Sequence, residues 1–103
     1  MSQRKSTRRR RSHREYRAAR ERLAPYEGIA RFVIMRRADL GLTQEQLADR
    51  MGTSHSAISR IESGQHRTSV ATLERLAHAL EVRFVMGFET GSHKAPVREL
   101  VSL

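Results

Sequence analysis

Apolar positions recur at helical spacing through most of this chain and switch to strict alternation near its end. Leu47, Ala48 and Met51 form one apolar edge, and Ala57, Ile58 and Ile61 form a second shortly after it. Both follow the spacing of an amphipathic helix. Thr43 stands where an N-cap belongs, with Gln46 three residues on, the T-x-x-Q form of a capping box. Gly52 follows Met51 at once and suits a helix end, because glycine adopts left-handed backbone angles without penalty. Thr53 or Ser54 then caps the second helix, and Gly64 closes it. These are the parts of a helix-turn-helix. An ordinary helical hairpin inside a bundle has the same periodicity.

The flanking segments extend the pattern. Residues 13–24 carry a thin stripe, Tyr16, Ala19 and Leu23, and Pro25 is expected to stop that helix because the residue before proline avoids helical angles. Gly28 to Leu40 reads as the next helix, with Ile29, Phe32, Val33 and Leu40 inward and Met35 and Arg36 at the rim. After a polar loop, Q-H-R-T-S, Ser69 caps a helix to Leu80 with Val70, Leu73, Leu76, Ala77 and Leu80 apolar, leaving His78 exposed. Val82, Phe84, Met86 and Phe88 then alternate with Arg83, Val85 and Gly87, which predicts a strand. A lone strand leaves its backbone groups unpaired. The same strand of a second subunit is the simplest partner.

Charge changes the picture at one end only. The chain of 103 residues has a net charge of +9. Residues 1–25 hold ten basic groups against Glu15 and Glu21, so the remainder is nearly neutral. Residues 1–12 lack an apolar pattern and repel themselves, which predicts a disordered basic arm (Arg4, Lys5, Arg8, Arg9, Arg10 and Arg11, with Arg14 just beyond). Such an arm suits a polyanion and can follow a DNA backbone or enter a minor groove; a merely solvated tail has the same composition. Residues 13–88 form one domain, and 89–103 read as a flexible tail.

Other chemistries find little support. There is no cysteine, so no disulfide framework or thiolate metal site. The five histidines (13, 55, 66, 78 and 93) include no i, i+4 pair, and there is no phosphate-binding glycine loop. No enzyme, metal or cofactor is expected. No apolar run reaches membrane-spanning length and the N-terminus lacks a secretory core, so a cytoplasmic location without membrane contact is expected.

The run L-T-Q-E-Q-L-A-D-R-M-G-T-S-H-S-A-I-S-R-I-E-S-G resembles the Cro/phage-repressor (XRE) helix-turn-helix family, and the likeness extends through Leu80. It implies a mainly α, lambda-repressor-like DNA-binding domain. About five helices are expected here, with the C-terminal strand Val82–Phe88 pairing across a homodimer through Val82, Phe84, Met86 and Phe88. By the family's motif the base-reading residues fall at Ser54, His55, Ser56, Ser59 and Arg60. Gln44, Ser63 and Arg67 fall where phosphate contacts are implied, and Arg37 with Glu62 where a structural ion pair is implied. Thr68 departs from the proline common at its place, and His55 from a common glutamine. The partner implied is double-stranded DNA with inverted half-sites, about one helical turn apart or a multiple of it. Within the family the chain looks like the HigA-type antitoxins, on a helix before the core, the sequence R-A-D-L-G-L-T-Q and a strand ending R-F-V-M-G-F. That likeness implies a small RelE/HigB-like ribonuclease toxin as a further partner, bound by residues 1–27 or by the tail. A stand-alone phage-type repressor is the alternative, and a scaffold or RNA-binding module using the basic arm is a third.

Overall fold

The computed structural model describes the backbone of residues 2–103 and the side chains from Arg9 onward. Four helices precede a two-stranded sheet: α1 (Ser2–Asp39), α2 (Gln44–Met51), α3 (His55–Ser63), α4 (Val70–Ala79), β1 (Val85–Ser92) and β2 (Ala95–Ser102). The helix-turn-helix sits at α2–α3. Thr43 and Gln46 form the reciprocal capping box, Ser54 caps α3 and Ser69 caps α4.

Two expectations need correction. The first concerns Pro25, which lies inside α1 rather than ending a helix. Helices expected to be separate are therefore one, and residues 2–12, expected to be a structureless arm, are helical. Proline in a helix interior removes one backbone donor and costs about 3 kcal/mol. Here the neighbouring turn is exposed, so water can satisfy the carbonyl left without a partner. One side-chain pair also spans the gap: the Arg20 guanidinium, which donates to the Tyr16 hydroxyl at 3.3 Å on the preceding turn, reaches the Glu27 carboxylate at 3.8 Å. The side chains of Arg4, Lys5 and Arg8 lie outside the described residues.

The second correction concerns the C-terminus. The strand begins at Val85, so Val82 and Phe84 precede it, and its partner belongs to the same chain. β1 and β2 pair antiparallel from Val85↔Ser102 to Ser92↔Ala95, turning at His93–Lys94. The expected flexible tail is thus the second strand of a hairpin. Turn chemistry is the reason: Gly91 at positive φ and the Ser92 hydroxyl, which accepts from Ala95 N at 3.1 Å, let the chain reverse. Met86, Phe88, Thr90, Val97 and Val101 share one face of the hairpin by register, and all are exposed.

The core lies where α1 crosses the other helices. Val33, Leu47, Ile58 and Leu80 are fully enclosed, with Ala48, Met51, Leu76 and Ala79 around them. Phe32, expected inside, is 50% exposed. Arginines satisfy carbonyls at helix ends, where cations are favoured. Arg36 Nε donates to Leu80 O at 2.9 Å, Arg50 Nη1 to Ala79 O at 3.0 Å, and Arg75 Nη2 to Met51 O.

Gly64, just past α3, takes φ +69° and is buried. A Cβ there would meet Glu27 Cα of α1 at 3.0 Å, whereas one at Gly52 (φ +64°) would meet nothing within 4 Å. Gly52→Ala is expected to cost only the left-handed penalty, about 1 kcal/mol. Gly64→Ala adds a clash with backbone and should cost about 2–3 kcal/mol. Denaturant unfolding of the two variants checks the order; equal losses would contradict the close α1–α3 approach.

Candidate nucleic-acid interface

The recognition side of α3 is set by a chain of hydrogen bonds running outward from the core. It starts at Arg37 of α1. Its Nε and Nη2 donate to the two oxygens of Glu62 at 2.8 and 2.9 Å, a bidentate fork, and its Nη1 donates to Leu42 O at 2.9 Å. The Glu62 side chain is only 5% exposed, so this ion pair is largely removed from water. The hydrogen bond to Glu62 raises the Arg37 guanidinium above its ordinary value, against the opposing effect of burial, and Arg37 stays a cation at any physiological pH.

Glu62 Oε1 also accepts from Gln44 Nε2 at 3.0 Å. An ionised carboxylate only accepts, so Gln44 must turn its amide nitrogen toward it. That fixes the other end of the amide. Gln44 Oε1 faces α3, 2.7 Å from His55 Nε2 and 3.1 Å from the Ser59 hydroxyl, which donates to it. His55 therefore donates through Nε2. One amide at the start of α2 thus holds two side chains of α3 in place.

The residues singled out in the sequence divide by environment. Ser54, His55, Ser56 and Arg60 are exposed along α3, and Ser59 is half-buried. The Ser54 hydroxyl accepts from Ala57 N at 3.2 Å as the N-cap and keeps its own proton to donate. Ser56 and the Arg60 guanidinium make no side-chain hydrogen bond among the described residues. The Ser63 hydroxyl is committed to the turn: it donates to Arg60 O at 2.7 Å and accepts from Gln65 N at 3.2 Å. Arg67 lines a shallow groove with Arg60, His66 and Thr72 between α3 and α4, a cationic concavity beside the reading face. Gln44 is half-buried and has both acceptor positions and one amide N–H taken by its three partners.

Sequence reasoning missed this role of Gln44 as a hub. The signal was weak: a polar residue opening a helix reads as part of a cap. Only the approach of Glu62 and His55, 18 and 11 residues away, reveals it. Val82 and Phe84, expected in a dimer strand, instead line a groove with Pro25, Gly28, Phe32 and Leu73, while Met86 and Phe88 pair with Val101 and Glu99 in cis. Among the described residues no group of three or more His, Cys, Asp or Glu could hold a metal ion, and no helix is long and apolar enough to cross a membrane.

Comparison with known proteins places the fold that carries these residues. A family model described as helix-turn-helix, HTH_3, matches residues 33–85. An uncharacterized HTH-type transcriptional regulator of Methanothermobacter thermautotrophicus is 43% identical over 44 residues, a match covering 43% of this chain and 64% of that relative's length. The restriction-modification controller protein C.AhdI of Aeromonas hydrophila superposes with a TM-score of 0.55 at 30% identity, over 58% of this chain and 87% of that one. The controller protein C.Esp1396I, solved as a tetramer with its natural 35 base-pair operator, superposes with a TM-score of 0.53 at 28% identity, over 55% of this chain and 75% of that one.

The Gln44 geometry predicts one tautomer for neutral His55, with the proton on Nε2. Imidazole ¹⁵N shifts above the histidine's titration should report that form, and Gln44→Ala should return the ring toward a mixture. A ring protonated at Nδ1 would contradict the amide orientation.

Proposed function

This chain belongs to the HTH_3 helix-turn-helix family, and from that membership we propose that it is a sequence-specific, double-stranded-DNA-binding transcriptional regulator. One observation carries the reading. α3 presents Ser54, His55, Ser56 and Arg60 to solvent on one side while the other side, through Ile58, is locked into the core. An α-helix fits the major groove, and short polar side chains near its start reach base edges there. Arg60 supplies a fork matched to guanine O6 and N7, and His55 offers a fixed donor unless a base competes for it. Gln44 and Arg67 take phosphate, Gln44 through the amide groups at the start of α2, where anions are favoured.

A single such domain covers few base pairs, so a homodimer on inverted half-sites supplies the specificity. The hairpin supports dimerisation. An isolated two-stranded hairpin is marginal in water, and the face bearing Met86, Phe88, Val97 and Val101 is exposed in the monomer. Phe88 is 80% exposed. Each strand of the hairpin also keeps one open edge. A second copy covers this surface, and a dimer lying across a promoter obstructs polymerase, so repression is the default effect.

The finer role proposed is that of an antitoxin controlling its own operon. It rests on the likeness of R-A-D-L-G-L-T-Q and R-F-V-M-G-F to HigA-type antitoxins. The long exposed half of α1 and the hairpin provide surface for a small RelE-like toxin. The controllers among its structural neighbours support the other role, a stand-alone regulator. Co-purification with the product of an adjacent gene separates the two.

Arg60→Ala is expected to weaken operator binding by about 1–3 kcal/mol while leaving binding to scrambled DNA nearly unchanged. Equal losses on both duplexes would make Arg60 a phosphate contact. Phe88→Glu should shift the protein from dimer to monomer in sedimentation and leave helical content intact; an unchanged dimer would remove the hairpin from the interface.

A further inference from the structure

The N-terminal half of α1 carries charge that the helix-turn-helix does not use. Arg9, Arg10, His13, Arg14 and Arg17 line one shallow concavity of its surface. This face has a defined direction. Positions seven residues apart on a helix fall within about 20° of each other, and the Arg20–Glu27 ion pair shows that registry directly. Carried backwards in steps of three and four, the column runs from Glu27 through Arg20 to His13 and Arg9. Glu27 is also the residue that Gly64 packs against. The Arg9 and His13 edge of the basic face thus looks to the same side of α1 as the turn leading from α3 to His66 and Arg67, while Arg17, Arg10 and Arg14 lie successively farther round the helix. Glu21, seven residues from Arg14, lies within the basic arc and Glu27 at its base; Glu15 points to the opposite side with the half-buried Ala18 and Ala19.

Resting on the DNA-binding reading, we propose that this half of α1 is a rigid, rotationally phased clamp on the phosphate backbone flanking each half-site. The helix is rooted in the core at Ala30 and Val33, so the extension propagates from an existing nucleus and does not pay for its own. Its residues are chiefly arginine, alanine, glutamate and leucine, all good helix formers. Phosphates relieve the repulsion among the arginines. At 1.5 Å per residue the span from Glu27 to Arg9 is about 27 Å. The basic stretch itself, Arg9 to Arg17, takes up about 12 Å of that, or about three to four base pairs of backbone. A flexible arm has the same charge but no preferred side, and this difference can be measured.

Inserting two alanines between Ala24 and Pro25 turns the basic face by about 200°, whereas inserting four turns it by about 40°. Operator binding is read across a salt series together with hydroxyl-radical footprints, for the full chain, both insertions, a chain lacking residues 2–22, and Arg14→Gln with Arg17→Gln, which leaves the backbone unaltered. The full chain and the four-alanine form should protect the flanks. The two-alanine and truncated forms should keep the central protection, lose the flanks and show a log–log salt slope shallower by about 3 per protomer. The glutamine pair should make the slope shallower by about 2. A two-alanine form that footprints like the full chain would overturn the phased rod in favour of a flexible arm. Flanks that survive truncation would remove the segment from the duplex altogether. A full chain with no preference for its operator over scrambled DNA would defeat the DNA-binding reading itself, a separate failure.

Discussion

The bidentate pair between Arg37 and Glu62 is the joint on which the reading surface depends. It ties α1 to the end of α3, and its second carboxylate oxygen bond, to Gln44, ties in α2. A charge as enclosed as Glu62 is tolerable only when its lone pairs are occupied. The arrangement gives it three donors. Since the carboxylate orients Gln44 and Gln44 orients His55 and Ser59, a structural ion pair dictates which atoms the outer face presents. Packing alone, through Ile58 and Val33, would fix the position of α3 but not the rotamers on its exposed side.

Three uses of arginine stand out by what the side chains touch. Arg36, Arg50 and Arg75 end on helix-terminal carbonyls, where they stabilise the turns between helices. Arg37 is an internal anchor. Arg60, Arg67 and the row from Arg9 to Arg17 face solvent, on α3, on the loop that follows it, and on the projecting half of α1. Net charge alone does not distinguish these uses. Beyond residue 25 basic and acidic groups are nearly equal in number, so the outward arginines on α3 and its following loop stand in a nearly neutral surround.

The helix-turn-helix was legible in the residues because each boundary carries its own local chemistry: Thr43 with Gln46, Gly52, Ser54, Gly64, Ser69. The Arg37–Glu62 pair followed from family likeness, since nothing in spacing alone pairs residues 25 apart. Two places misled. Pro25 is a reliable stop only where its lost hydrogen bond is buried or the flanking turns are weak helix formers, and neither holds here. Residues 89–103 read as loose because Gly91 and Pro96 are poor strand formers. Yet glycine beside a turn and proline on an edge are where strands accommodate them. The Gln44 hub was invisible for a different reason: its three partners lie far off in sequence and meet only in the fold.

A double-mutant cycle on Gln44→Ala and His55→Ala, read as the free energy of operator binding at fixed salt, tests the central claim most directly. If Gln44 presets the reading face, the two losses are strongly non-additive, with a coupling of about 1 kcal/mol or more. Additive losses, within about 0.3 kcal/mol, would mean that His55 meets the duplex unaided and that the chain from Arg37 outward holds the fold but not the reading face.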